Sequence, residues 1–298
     1  MELNRREFLK SSGAVLGAGA LGEGISTLAA RKGSVAEAAG LAPMYEIYAL
    51  KYAGPFSRKL ANYLSGVGWE ENIQAPYYLW ALKGKDGFVV VDTGCSTTWA
   101  REKKLKGYVN PVDVLARIGV NGSNVSKVIL THMHFDHLGG MEMFPQAFPK
   151  AVFYVQKKEY DFWTKSPYAK RAPFNRDEVA IKATADLEGT DRLVFTCGDQ
   201  KLMPGIEVLL CPGHTIALQS VAVNTAKGTA IVASDAMHLL RALKADLTST
   251  IIFDIVGYLS SYDKIKAKAT SLELVFAGHD MVLATDYPKV AEDVTRLV

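Results

Sequence analysis

The chain has 298 residues, 49% hydrophobic and 22% charged, which is ordinary for a soluble globular protein and enough to bury a sizeable core. Its 34 basic and 31 acidic residues leave a net charge of +3, with the basic residues scattered along the chain. It lacks the clustered Lys/Arg face that nucleic-acid binding needs, so a small-molecule partner is expected and nucleic acid is not.

The opening segment differs from the rest. Paired arginines, Arg5 and Arg6, precede Phe8 and Leu9, and a Gly/Ala/Leu run follows at 13–22. That run is too short and too small in side chain to span a bilayer, so no stable membrane anchor is expected. Ala36, Glu37 and Ala38 then place small residues at the spacing a signal peptidase accepts. The pattern resembles a twin-arginine export signal over residues 1–38, implying a mature domain over 39–298 that works in the periplasm.

Beyond residue 40 there is no repeat, linker or break in composition, so one domain is expected. Segments rich in β-branched and aromatic residues and bounded by Gly, Pro, Asp or Asn read as strands at 44–52, 76–84, 87–94, 127–132, 151–156, 206–214, 229–236 and 272–280. Helical patterns fall at 110–119, 156–165, 261–270 and 288–298, the first with Pro111 suited to an opening turn. Strands and helices interleave without a strict βαβ rhythm, which favours a mixed α/β sandwich over a doubly wound sheet. Five of the strands end in a polar residue set in a turn: Asp92, His132, His214, Asp235 and His279. Rigid sheets carry catalytic groups on such tips.

The stretch THMHFDHLGG at 131–140 holds half of the six histidines in the chain. Side chains alternate along an extended backbone, so His132, His134 and Asp136 share one face while His137 breaks the parity. Gly139 and Gly140 permit a turn into a helix at that point. This suits two adjacent metals, one served by His132 and His134 and the other by Asp136 and His137. His214, Asp235 and His279 supply the remaining donors. Seven such side chains overfill a single ion, and two ions about 3.5–4 Å apart with a bridging carboxylate account for the number. Asp235 is the best bridge.

HMHFDH at 132–137, with PGHT, SDA and GHD following in that order, resembles the metallo-β-lactamase fold superfamily, as does VDTG at 91–94. The resemblance implies an αββα sandwich of two mixed β-sheets flanked by helices. It further implies that His132, His134 and His214 hold one divalent metal, that Asp136, His137 and His279 hold the other, and that Asp235 spans both. Asp92 is then expected to orient a ligand histidine. Nitrogen and oxygen donors without thiolate suit zinc, and also iron, manganese or cobalt.

Several branches of that superfamily are set aside by residue type. A glutamate is usual at the position of His134 in flavo-diiron oxidoreductases. Class B β-lactamases lack a bridging aspartate equivalent to Asp235. The nucleic-acid-processing members and the hydroxyacylglutathione hydrolases carry additional segments after the sandwich. What remains is similar to the N-acyl-homoserine lactonase family, notably over THMHFDHLGGMEMFPQA and VFYVQKKEYDFW. The implied reaction is opening of a lactone by a metal-bridging hydroxide, with Asp136 as proton shuttle. Alternatives are a thioester or aryl-ester hydrolase of the same fold, and an exported metal-binding protein without activity. Those lactonases often carry a tyrosine three residues after the bridging aspartate. Here that position is His238, a second candidate catalytic residue able to donate a hydrogen bond. The aromatic stretch 159–174 is the expected pocket wall, with 62–78 a second candidate, and a monomer or homodimer is expected. Cys95, Cys197 and Cys211 show no redox or zinc-ribbon spacing.

Overall fold

The computed structural model describes residues 43–171 and 175–298. The export signal and its boundary at Ala38 therefore lie outside the described residues. The strands are β1 (Glu46–Lys59), β2 (Asn72–Gly84), β3 (Gly87–Val91), β4 (Val125–Ile129), β5 (Val152–Gln156), β6 (Leu193–Thr196), β7 (Gln200–Met203), β8 (Ile206–Leu210), β9 (Gln219–Thr225), β10 (Gly228–Ser234), β11 (Val275–Ala277), β12 (Lys289–Ala291) and β13 (Val294–Arg296). Helices α1 (Thr97–Glu102), α2 (Pro111–Ala116), α3 (Phe135–Leu138), α4 (Phe144–Ala147), α5 (Lys157–Lys165), α6 (Glu178–Ala185), α7 (Leu240–Ala245), α8 (Ile255–Lys268) and α9 (Val282–Thr285) connect them.

Among the described residues one sheet runs β12-β13-β1-β2-β3-β4-β5-β6 and the other β11-β10-β9-β8-β7. Both are mixed: β3 through β6 pair in parallel, as do β10 and β11, while the other pairs are antiparallel. The two-residue period of the strands decides the layering. Tyr78, Trp80 and Leu82 of β2, with Val89 and Val91 of β3, face Val208, Val221, Val223 and Val232 of the second sheet. The intervening Leu79, Ala81 and Val90 face outward onto Val114, Leu115 and Phe144 of the helices on that side. Ile231 and Ala233 of β10 likewise turn outward onto Leu243, Tyr258, Tyr262 and Ile265. Each such aliphatic or aromatic side chain contributes about 1.5–3 kcal/mol when fully buried. The result is the expected αββα sandwich.

The C-terminal segment corrects one expectation. Residues 288–298 form no helix; they turn back as the β12–β13 hairpin, and β13 pairs with β1 at the edge of the large sheet. Asp293 takes the left-handed conformation, with φ 56°, that a tight turn needs. Its carboxylate is held by Lys51 Nζ at 2.8 Å and Arg117 NH1 at 2.9 Å. Val294 and Leu297 are buried under the hairpin, so pairing with β1 overrides the helix-like spacing of the segment. Strands β6, β7 and β9 and helix α6 are further elements that the sequence pattern does not announce. Cys95 and Cys211 are buried, Cys197 is exposed, and none is paired. Among the described residues no helix is long and apolar enough to cross a membrane.

Candidate metal centre

The strand tips do converge, and two of them do so through strained backbone. Asp92 follows β3 with φ 64°, and Ser234 closes β10 with φ 50°. A left-handed non-glycine residue costs about 1–3 kcal/mol, and such residues concentrate at functional sites. Here the strain is held by hydrogen bonds. Asp92 Oδ1 accepts from the Thr131 backbone N–H at 2.7 Å, and Asp92 Oδ2 accepts from Thr131 Oγ1 at 2.9 Å and His137 Nδ1 at 2.7 Å. The loop after β3 is thereby stitched to the loop after β4.

Gly139 and Gly140 serve a different purpose from the turn anticipated for them. Neither has positive φ. A Cβ on Gly140 would lie 2.1 Å from the Thr93 carbonyl oxygen, and one on Gly139 would lie 2.7 Å from the Ser96 backbone nitrogen. The two glycines let the histidine-bearing segment press against the loop after β3, where Gly94 and Leu138 form an isolated bridge. Gly278 has the same role nearer the centre, since its Cβ would fall 2.0 Å from Asp235 Oδ1.

All seven predicted ligand residues are buried together. Their donor atoms form groups in which every atom lies within 4.8 Å of the others: His132, His134 and His214; His132, His137 and Asp235; Asp136, His137 and His279. Asp235 faces both sides. Its Oδ2 is 3.4 Å from His214 Nε2 and 3.1 Å from His279 Nε2, while its Oδ1 is 3.5 Å from His137 Nε2. His238 joins the cluster, with Nε2 3.2 Å from Asp235 Oδ2 and Nδ1 3.3 Å from Tyr258 Oη.

Outer hydrogen bonds fix the ring orientations. Nδ1–H of His214 donates to the Ile251 carbonyl at 2.9 Å, and that of His279 to the Pro76 carbonyl at 2.9 Å. His132 Nδ1 lies 3.0 Å from Thr131 Oγ1, whose own hydrogen goes to Asp92. In each case Nε2 is left to face inward, as metal-ligating histidines require.

Glu159 is a site residue that the sequence does not single out. This fully buried carboxylate accepts from Met133 N at 3.2 Å, Trp163 Nε1 at 2.7 Å, Thr215 Oγ1 at 2.8 Å and Ala217 N at 3.0 Å. Met133 lies between His132 and His134, and Thr215 follows His214, so Glu159 ties together the two loops that carry those histidines. Burial pushes its pKa up against these bonds.

The electrostatics divide the cluster. Burial holds His132 and His134 well below the ordinary imidazole value and His214 down to about 3, so these rings are neutral and available as ligands. Burial also opposes charge on His137 and His279, but the Asp235 and Asp136 carboxylates outweigh it and raise both. Asp136 is itself raised by burial, whereas His279, His238 and His137 overcome burial at Asp235 and hold it low.

A cation fits this donor set on a specific observation. His132 Nε2, His137 Nε2 and Asp235 Oδ1 are buried without any hydrogen-bond partner. Unsatisfied buried polar atoms are costly, roughly 1–3 kcal/mol each, and these aim at one another across a shared space.

The cluster forms the floor of a cavity of about 290 Å³, also lined by Arg58, Asn62, Tyr63, Tyr77, Phe135, Asn175, Thr250 and Ile251. This corrects the expected wall over its described part, 159–171. Within 159–171, Tyr160 and Trp163 turn into the core, Trp163 packing edge-on against His134 with ring centroids 5.3 Å apart. The lining comes instead from the end of β1, the 62–78 stretch and the loop before α8.

Such a centre, an αββα sandwich whose strand tips enclose a buried histidine and aspartate cluster, defines a class of metal-binding hydrolytic folds. Residues 73–279 match the metallo-beta-lactamase superfamily, and the chain belongs to it. Among curated relatives, an N-acyl homoserine lactonase of Bacillus thuringiensis is 25% identical over 225 residues, covering 70% of this chain and 83% of its own. The N-acyl homoserine lactonase AttM of Rhizobium johnstonii is 27% identical over 255 residues, covering 76% and 89%. In three dimensions the chain is similar to the crystal structure of a quorum-quenching N-acyl homoserine lactone lactonase, with TM-score 0.67 and 21% identity over 83% of this chain and 97% of the other.

Proposed function

We propose that the protein is a dinuclear metallohydrolase that opens lactones or related carboxylic esters. The observation that carries this reading is Asp235, whose two oxygens face the donors of both histidine groups. His132, His134 and His214 would hold one divalent ion and Asp136, His137 and His279 the other, zinc being the best match to an all-nitrogen and oxygen set. Bound there, such ions supply Lewis acidity toward a carbonyl oxygen and a nucleophilic water at neutral pH.

The chain's own groups then divide the remaining work. Asp136 lies on the cavity surface beside the cluster, where its carboxylate is within reach of the reacting groups and suited to pass a proton to the departing alkoxide. His238 lines the same cavity with Nε2 3.2 Å from Asp235 Oδ2, and with Asp235 drawn onto bound cations that nitrogen would be free to donate a hydrogen bond to the substrate carbonyl. Tyr63 and Tyr77 pack against His279, with ring centroids 6.2 Å and 5.2 Å away, and brace that ring. The reading is tested with metal-quantified protein on a panel of lactones, esters and thioesters. Acid release from a lactone is expected, with loss of activity in His132→Ala; no turnover on any of the panel would end it.

The paired arginines and the small-residue site before Ala39 support a further part of the proposal, export by the twin-arginine route with a mature chain beginning near Ala39. N-terminal sequencing of the exported protein checks this, and an intact Met1 would contradict it.

A further inference from the structure

The cavity wall above the donor cluster carries a guanidinium that no carboxylate of the described residues neutralises. Arg58, half buried near the end of β1, lines the cavity together with Asn62, Asn175 and Thr250. Among the described residues no acidic group lies within ion-pair distance of it, and its NH1 donates to the adjacent Ser57 carbonyl at 3.4 Å. Three other arginines, by contrast, do meet a carboxylate: Arg117 meets Asp293, Arg176 meets Glu178 and Arg241 meets Glu71.

The side chain is braced in place. Its Cζ sits 5.2 Å from the centroid of Phe56, Phe56 packs on Tyr77 at 4.9 Å, and Tyr77 packs on His279 at 5.2 Å. A continuous aromatic path thus fixes the guanidinium relative to the donor cluster. Arg58 also offsets the rise that burial imposes on the Tyr63 and Tyr77 phenols, which places its charge beside both rings. A planar guanidinium held rigid in a partly desolvated pocket is the arrangement that binds carboxylate in bidentate fashion. With no counter-charge from the described residues, a ligand in the cavity is the natural source of one.

We propose that Arg58 binds a carboxylate on the substrate, on the cavity wall above the donor cluster. The substrates are then anionic lactones or esters, in contrast to the uncharged N-acyl homoserine lactones that name the relatives. This rests on the hydrolase reading above, and two measurements separate the two claims.

The first is binding, by calorimetry on metal-loaded protein, of adipate and its monomethyl ester. The diacid should bind about tenfold more tightly, or better, from one charge-assisted contact. Arg58→Gln should bring the ratio near one and Arg58→Lys should restore part of it. Equal binding of the two ligands by the native protein, or a preference that survives in Arg58→Gln, would overturn the proposal. The second is hydrolysis of a carboxymethyl-substituted butyrolactone and its methyl ester. The acid should be favoured about tenfold in kcat/KM through a lower KM, and Arg58→Gln should abolish that ratio. Equal rates on both would overturn the Arg58 assignment while leaving the hydrolase. A preserved adipate preference without turnover of either lactone or of any member of the wider panel would sustain Arg58 as a carboxylate site and overturn the hydrolase.

Discussion

At the scale of single residues, the centre depends as much on what is missing as on what is present. Gly278 leaves room for Asp235, and a methyl group added there would come within 2.0 Å of Asp235 Oδ1 and 2.9 Å of the Ser234 carbonyl carbon, so the carboxylate is what must give way. Gly278→Ala should therefore displace the carboxylate and lose metal from the folded protein, read as metal content per chain. Full metal content in that variant would contradict the bridging role of Asp235. His238 permits a sharper distinction. As a hydrogen-bond donor to substrate, its removal in His238→Ala should lower kcat by about 10²–10³ with metal content intact. Metal loss in parallel would make it a ligand instead, which its 3.2 Å approach to Asp235 geometrically allows. The proposed metal ligands are legible in the sequence because HMHFDH concentrates them and because His214, Asp235 and His279 each follow a strand. Glu159 is not. In QKKEYDFW it looks like any acidic residue on an amphipathic surface helix, and three of its four donors come from Met133, Thr215 and Ala217, far away in the chain. Its burial is a property of the packed fold alone.

At the scale of elements, two connections hold the site and the sheet edge together. Glu159, at the start of α5, fastens the His132/His134 loop to the His214 loop. Glu159→Ala leaves buried N–H and O–H donors without acceptors and should cost about 3–5 kcal/mol in unfolding free energy, with weaker metal retention. Denaturant titration with and without metal checks both parts, and a change below about 0.5 kcal/mol would refute the tie. The β12–β13 hairpin is fastened by Asp293. Burial alone would raise its pKa, but Lys51 and Arg117 outweigh burial and hold it below the ordinary 3.8. A depressed carboxylate pKa stabilises the fold above the unfolded value and ceases to do so as pH falls through the folded value. Asp293→Asn should thus be about 1 kcal/mol less stable than the native chain at neutral pH, and the gap should begin to narrow as pH falls below 3.8 and close only below the lower folded-state value. A gap that persists in acid would show that the loss is not electrostatic. This hairpin reads as a helix in the sequence because its few apolar residues fall at helical spacing and the turn at Asp293 carries no glycine. The pocket wall is misplaced for a related reason: aromatics mark burial, and Tyr160 and Trp163 are buried in the core rather than against solvent-filled space.

At the scale of the whole molecule, the sandwich acts as a rigid frame that delivers groups from Asp92 to His279 to one edge. The layering is legible because strands such as β2 and β10 alternate between two apolar faces, a pattern that only a sheet packed on both sides explains. Short pieces at the margins, β6 and β7, carry too few residues for a period to emerge. Cations held by this centre would be thermodynamically linked to the frame, since ions that bind only the folded chain stabilise it by mass action. Whether two ions share this centre is decided by titrating metal-free protein with zinc and following lactone hydrolysis as equivalents are added. Activity should rise to a plateau at two ions per chain. A plateau at one ion, or full metal uptake with no hydrolysis, would contradict a dinuclear hydrolase.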